Sequence, residues 1–155
     1  MKHINEITGL EDNQHVINKL NDLLASIHIY YQNIKSFHWN IRGPQFFILH
    51  AEFQKLYEVA DEQIDQIAER IMMIGGEPLQ TLEDYIKYSK IAENNDKYLP
   101  EVTINKTLDN LNILLSLERD ILKSTNEDDE GTRVMIGNFI IQQEKAIWMF
   151  YSNLD

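Results

Sequence analysis

Two histidines and two carboxylates carry the spacing in this chain that most suggests metal chemistry. His38 lies in the run Phe37-His38-Trp39-Asn40, His50 follows twelve residues later, and Asp65 and Glu69 stand four apart further on. Imidazole nitrogen and carboxylate oxygen together form a mixed donor set suited to Fe(II), and equally to zinc or manganese. The chain has no cysteine. Disulfides, thiolate zinc sites, iron–sulfur clusters and cysteine nucleophiles are therefore excluded, and any metal must use histidine and carboxylate ligands.

The turn signal Arg42-Gly43-Pro44-Gln45 separates the two histidines, so their rings can meet on adjacent antiparallel helices. Asp65 and Glu69 share one helix face. At roughly 100° per residue, that face lies about 140° from the apolar stripe of its own helix. Taken alone, the two acids read as a solvated face, with Glu69 free to pair with Arg70 or another cation. His28 alone reads as a partly buried side chain, and His3 and His15 as surface residues.

Distance decides how the four could cooperate. His50 and Asp65 are fifteen residues apart on one helix, hence about 22 Å, whereas ligands of one ion lie at roughly 2.0–2.3 Å from it. If they share a metal, they come from different chains. A two-fold contact that sets the long helix antiparallel to its mate would bring His38 and His50 of one copy to Asp65 and Glu69 of the other. A di-iron centre inside a single bundle needs inward-facing Glu-x-x-His pairs. Only Asp12-x-x-His15 comes close to that pattern, so an intra-bundle centre is disfavoured.

The elements that would position these residues are helical throughout. Val16, Leu20, Leu23, Ile27, Tyr30/Tyr31 and Ile34 recur at threes and fours and predict a helix ending near Asn40. From Phe46 to Ile74 the same spacing predicts a second helix of roughly 30 residues, closed by Gly75-Gly76-Glu77-Pro78. Thr81-Leu82-Glu83-Asp84 resembles a capping box that opens a short helix to about Ser89. Ile104, Leu108, Leu111, Leu115, Glu118 and Leu122 mark a third long helix after Pro100. Met135, Phe139, Gln142, Ala146 and Met149 mark a fourth after the acidic turn at 126–131. The prediction is an all-α four-helix bundle, with a short helix in the connection between the second and third long helices and residues 1–12 as a short tail.

Length and charge narrow the function classes. At 155 residues the chain suits one domain with a proper core. Acidic residues number 25 against 14 Lys+Arg, a formal net charge of -11. That balance argues against direct binding to DNA or to an anionic membrane, both of which recruit Lys and Arg, and favours soluble cations as clients. The opening Met1-Lys2-His3-Ile4-Asn5-Glu6 does not resemble a secretory signal, and no membrane span is visible, so a cytoplasmic protein is expected.

A longer pattern runs through these residues. His38-Trp39-Asn40-Ile41-Arg42-Gly43, then Leu49-His50, then Ile64-Asp65-Gln66-Ile67-Ala68-Glu69-Arg70 and Gly75-Gly76-Glu77-Pro78 resemble the Dps family of miniferritins. Asp129-Glu130-Gly131-Thr132 and Glu144-Lys145-Ala146-Ile147-Trp148-Met149 extend the likeness to the last helix. It spans nearly the whole chain.

The resemblance implies a ferritin-like bundle assembled as a hollow homo-dodecamer, with ferroxidase sites at its two-fold interfaces. It implies oxidation of Fe(II) by hydrogen peroxide or oxygen, storage of the ferric mineral, and protection against oxidative damage. His38 and His50 would be ligands from one subunit, Asp65 and Glu69 ligands from its mate, and iron the metal. Trp39 would sit beside the site, relaying oxidising equivalents or anchoring the contact. Asp128, Asp129 and Glu130 would line an entry pore or simply cap a helix.

Two departures from the family pattern stand out. Gln54 occupies a position where the family often has a carboxylate, which puts the second metal position in question. Lys2 is the one Lys or Arg in the first dozen residues, against the lysine-rich tail of DNA-compacting members, so direct DNA binding is not expected. The competing reading is a non-catalytic DNA-coating protein of the same architecture.

Overall fold

The computed structural model describes residues 1–154. Six helices follow in order: α1 (Ile4–Thr8), α2 (Gln14–Asn40), α3 (Phe46–Met73), α4 (Leu82–Tyr88), α5 (Pro100–Ser124) and α6 (Glu130–Tyr151). The four long ones form the bundle and α4 lies in the middle connection, as the periodicity predicts. Residues 1–12 differ from that expectation. They carry the single-turn α1, whose sequence Ile-Asn-Glu-Ile-Thr is too short to show an apolar stripe and which buries none of its residues.

Helix ends follow local chemistry. Asn13 caps α2 by accepting from the Val16 N–H, Thr81 caps α4 through Asp84, Pro100 stands at the start of α5, and Asp129 caps α6 through Thr132. At the end of α3 the Gly75 N–H bonds the Met72 carbonyl and the Gly76 N–H bonds that of Ile71, with Gly75 at φ 86°. This is a Schellman closure, in which a side chain at Gly75 would be strained.

α2 is the hub of the packing, lying against α3, α5 and α4, while α5 pairs with α6 and α3 touches α6 only lightly. Its Leu20, Leu23, Ile27, Ile34 and Phe37 are wholly buried and meet Phe53, Ile67 and Ile71 of α3 and Leu111, Leu114 and Ile121 of α5. Burying such side chains stabilises the fold by about 1.5–3 kcal/mol each. In α6 the buried face is Thr132, Ile136, Phe139, Gln143 and Phe150. Of the expected line Phe139 is buried, whereas Met135, Gln142, Ala146 and Met149 sit beside the packed face. The helix is apolar on both sides, with Val134, Ile141 and Trp148 exposed opposite its core, so periodicity alone does not single out the packed face.

Two polar features hold the bundle at defined points. Arg70, at the end of α3, donates from Nε to the Thr132 hydroxyl at 2.9 Å and pairs through Nη2 with Asp129. Gly131 lets this guanidinium pass, since a Cβ there would meet it at 2.7–2.8 Å. In the core, Glu118 is fully buried with its Oε1 accepting from Gln143 Nε2 at 2.7 Å, while Gln143 also donates to Gln63 at 3.1 Å. The Glu118 Oε2 has no partner. Burial pushes its carboxyl up to about 8 against the bonds from Gln143 and the charge of Arg119, so it is largely protonated at neutral pH.

The sign of the resulting pH dependence follows. Below the ordinary carboxyl value of 4.5 the folded and unfolded chains both hold the proton. Above it the unfolded chain ionises first, so stability falls as pH rises until about 8 and then levels. Glu118→Gln is expected to flatten this decline and to stabilise the protein at pH 7 by on the order of 3 kcal/mol. Denaturant midpoints from pH 5 to 9 at fixed chain concentration measure it; a wild-type slope retained in the variant contradicts the assignment. Arg70→Met strands Asp129 and is expected to cost about 2 kcal/mol, read as a lowered midpoint in the same experiment.

Candidate metal centre

The short connection between α2 and α3 sets the last turn of one helix against the first turns of the next. Gly43, at φ 110°, makes the turn, and the Arg42 N–H bonds the Tyr98 carbonyl at 3.1 Å, tying the turn to the segment before α5. This brings His38 and His50 face to face. Their rings stack with centroids 3.7 Å apart and planes inclined by 15°.

The stack is locked by a reciprocal exchange. His38 Nδ1 donates to the backbone carbonyl of His50 at 2.7 Å, and His50 Nδ1 donates to that of His38 at 2.8 Å. A carbonyl can only accept, so the proton on each ring is assigned to Nδ1 and each Nε2 is left to bind a cation. A metal bound by an imidazole lies close to the ring plane, about 2.0–2.1 Å from nitrogen. Two nearly parallel planes at this separation cannot both hold one ion, so the rings address two positions.

Phe46 stacks on His50 at 5.0 Å and Tyr57 meets His38 edge-on at 5.2 Å. His38 is buried. Lys35 reaches over the Tyr31, Trp39 and Tyr57 rings, while Trp39 itself is largely exposed. Neither the carbonyl exchange nor the Lys35 cluster was anticipated from the sequence, although the spacing of Tyr31, Lys35 and His38 on one helix face signals the second. Gln54 points outward and donates to Glu58 at 2.8 Å.

Asp65 and Glu69 lie toward the other end of α3, exposed and without a hydrogen bond or ion pair among the described residues. Arg70 is not the partner of Glu69, because Asp129 and Thr132 hold it. Asp65 lines a surface pocket of about 470 Å³ with His28, Asp61 and Tyr85. There His28 stacks on Tyr85 at 3.8 Å, and burial lowers its pKa against the opposing charge of Asp61. Within one chain, no three histidine or acidic residues among those described come close enough to hold a metal. The imidazole pair and the acid pair are thus well separated within one chain, and the side chains of Asp65 and Glu69 have no partner among the described residues. Of the acidic turn, Asp129 is committed to the α6 cap and Arg70, whereas Asp128 and Glu130 are exposed. No helix among the described residues is long and apolar enough to cross a membrane.

Comparison with known proteins identifies the family. Residues 17–155 match the family model for a ferritin-like domain. The chain is 39% identical to the DNA protection during starvation protein of Porphyromonas gingivalis, over 96% of both chains. It is 33% identical to the protein of that name from Listeria innocua, over 97% of this chain and 94% of the other. Among solved structures, a Dps protein from Vibrio cholerae O1, described as a ferritin-like diiron-carboxylate protein, superposes with a TM-score of 0.89. It shares 37% identity over 92% of this chain and 90% of that one. A dodecameric thioferritin from Bacteroides fragilis has the same fold, with a TM-score of 0.90 over 97% and 90% of the two chains at 16% identity. The chain belongs to the Dps family of ferritin-like miniferritins.

Proposed function

We propose that this protein is a ferroxidase and iron store. In this reading it oxidises Fe(II) with hydrogen peroxide, or more slowly with oxygen, inside a hollow dodecamer in the cytoplasm, and so guards the cell against oxidative damage. His38 and His50 of one subunit and Asp65 and Glu69 of its two-fold mate bind the iron. The observation that carries the reading is the stacked imidazole pair, whose Nδ1 atoms are occupied by backbone carbonyls and whose Nε2 atoms remain free. Asp65 and Glu69, roughly 22 and 28 Å from His50 along their own helix and so out of its reach, supply to the mate the charge that its imidazoles lack.

The donor chemistry suits the task. Neutral imidazoles accept Fe(II), and carboxylates favour the more highly charged ferric product. Two neighbouring ferrous ions can deliver two electrons to one peroxide, cleaving its O–O bond to give water or hydroxide without releasing a hydroxyl radical. Twelve chains each at -11 would draw cations in over the screening length of roughly 8 Å. The same charge opposes contact with DNA, so a DNA-coating role is the weaker reading.

Anaerobic Fe(II) followed by peroxide is expected to give ferric absorbance far faster than buffer, with His38→Ala or Asp65→Ala each lowering the initial rate at least tenfold; wild-type rates equal to buffer defeat the proposal. Particles reassembled from equal amounts of the two variants test the sharing directly. Because a site needs imidazoles from one chain and acids from another, about a quarter of the sites regain both halves. Mixed particles are therefore expected to recover about a quarter of wild-type activity, and recovery of none argues for a site within one chain.

A further inference from the structure

Between α3 and α6 lies a cavity of about 400 Å³, lined by one small residue from each helix, Ala60 and Ala146. These two helices touch only lightly, and side chains of this size leave a gap that larger ones would close. Leu56, Met149 and Phe150 complete its apolar walls. The volume falls within the roughly 300–1,000 Å³ of small-molecule sites.

The floor of the cavity is polar and incompletely bonded. Tyr30, Gln63 and Gln143 line it, and all three are buried. Gln143 Nε2 donates to Glu118 Oε1 at 2.7 Å and to Gln63 Oε1 at 3.1 Å, which leaves the Gln143 Oε1 without a partner among the described residues. The Tyr30 hydroxyl has no partner among them either, and burial holds it in its neutral, donating form. One bond behind the floor, the Glu118 Oε2 is unpartnered as well. A free donor and a free acceptor together suit a hydroxyl, which accepts from Tyr30 and donates to Gln143. A carboxylate could only accept there, and its charge would be buried with no cation beside it.

Positive charge stands at the rim instead. Lys55 and Lys145 both line the cavity and both are exposed. Glu52 engages Lys55 at 2.7 Å, whereas Lys145 forms no ion pair among the described residues. We propose that the cavity between α3 and α6 binds a small aromatic acid with a hydroxyl opposite its carboxylate. The ring lies between the alanine walls, the hydroxyl meets Tyr30 and Gln143, and the carboxylate meets Lys145. An alkyl acid would satisfy the walls and the rim but leave the buried floor unpaired. None of the four candidate iron ligands takes part, so this site is independent of the iron reading.

Calorimetric titration of the metal-free, assembled protein with 4-hydroxycinnamate tests it. Wild type is expected to bind one molecule per chain with a Kd on the order of 0.1 mM. Ala146→Leu fills the cavity and is expected to abolish binding while the particle assembles and its thermal midpoint is kept or raised. Cinnamate, which lacks the hydroxyl, is expected to bind wild type about fivefold more weakly. Tyr30→Phe is expected to bring 4-hydroxycinnamate down to that level and to leave cinnamate unchanged, a pattern that general loosening of the core would not give. Lys145→Gln weakens both acids alike. Should Ala146→Leu fail to assemble, the two acids compared on Tyr30→Phe decide the question. No saturable binding, equal affinity for the two acids in wild type, or undiminished binding in assembled Ala146→Leu overturns the proposal. Tighter binding of octanoate than of 4-hydroxycinnamate also overturns it, in favour of a fatty acid.

Discussion

A straight helix cannot fold back on itself, and that constraint governs this molecule. α3 carries His50 in its second turn and Asp65 and Glu69 in its later turns, with about 22 Å of rigid rise between His50 and Asp65. Each half has unspent binding capacity: lone pairs on two imidazoles at one end, two unpaired carboxylates at the other. No rearrangement within the chain short of unfolding α3 would join them. In the proposed assembly a two-fold axis across the helix would join them twice, once at each end, which is why the proposed function and the proposed assembly stand or fall together.

The imidazole half is held in advance of any metal. Backbone carbonyls accept hydrogen bonds from both Nδ1–H groups, Phe46 and Tyr57 brace the rings from outside, and the Gly43 turn sets the spacing. Such preorganisation leaves little to rearrange when a cation arrives. The acid half is different in kind. Its carboxylates are exposed, and their positions are fixed only by the helix beneath them.

The bundle core is less uniformly apolar than its role as a scaffold requires. Glu118, Gln143 and Gln63 join α5, α6 and α3 through a buried polar chain, next to Tyr30 of α2, whose phenol is held in its neutral form by burial. A protonated carboxyl avoids the cost of a buried charge and keeps its bond to Gln143, at the expense of a stability that declines with rising pH. Arg70 shows the opposite arrangement. Its charge is kept and paired with Asp129 at the bundle's end, which leaves the neighbouring Glu69 without a cation of its own chain.

Much of this was legible beforehand because helices are local objects. Apolar residues at threes and fours, Pro100, the Thr81 cap and the Gly75-Gly76 stop each act within a turn or two, so the long helices and α4 appear in the pattern itself. α1 escaped because one turn has no periodicity, and the packed face of α6 because both of its sides are apolar. What only the tertiary structure decided are relations between residues whose separation in sequence carries no signal. Among them are the ring-over-ring stacking of His38 on His50, the carbonyls that select their free nitrogens, the aromatic enclosure of Lys35, and the burial that protonates Glu118. Each depends on which side chains two helices turn toward one another, and that is settled by the packing of the whole bundle.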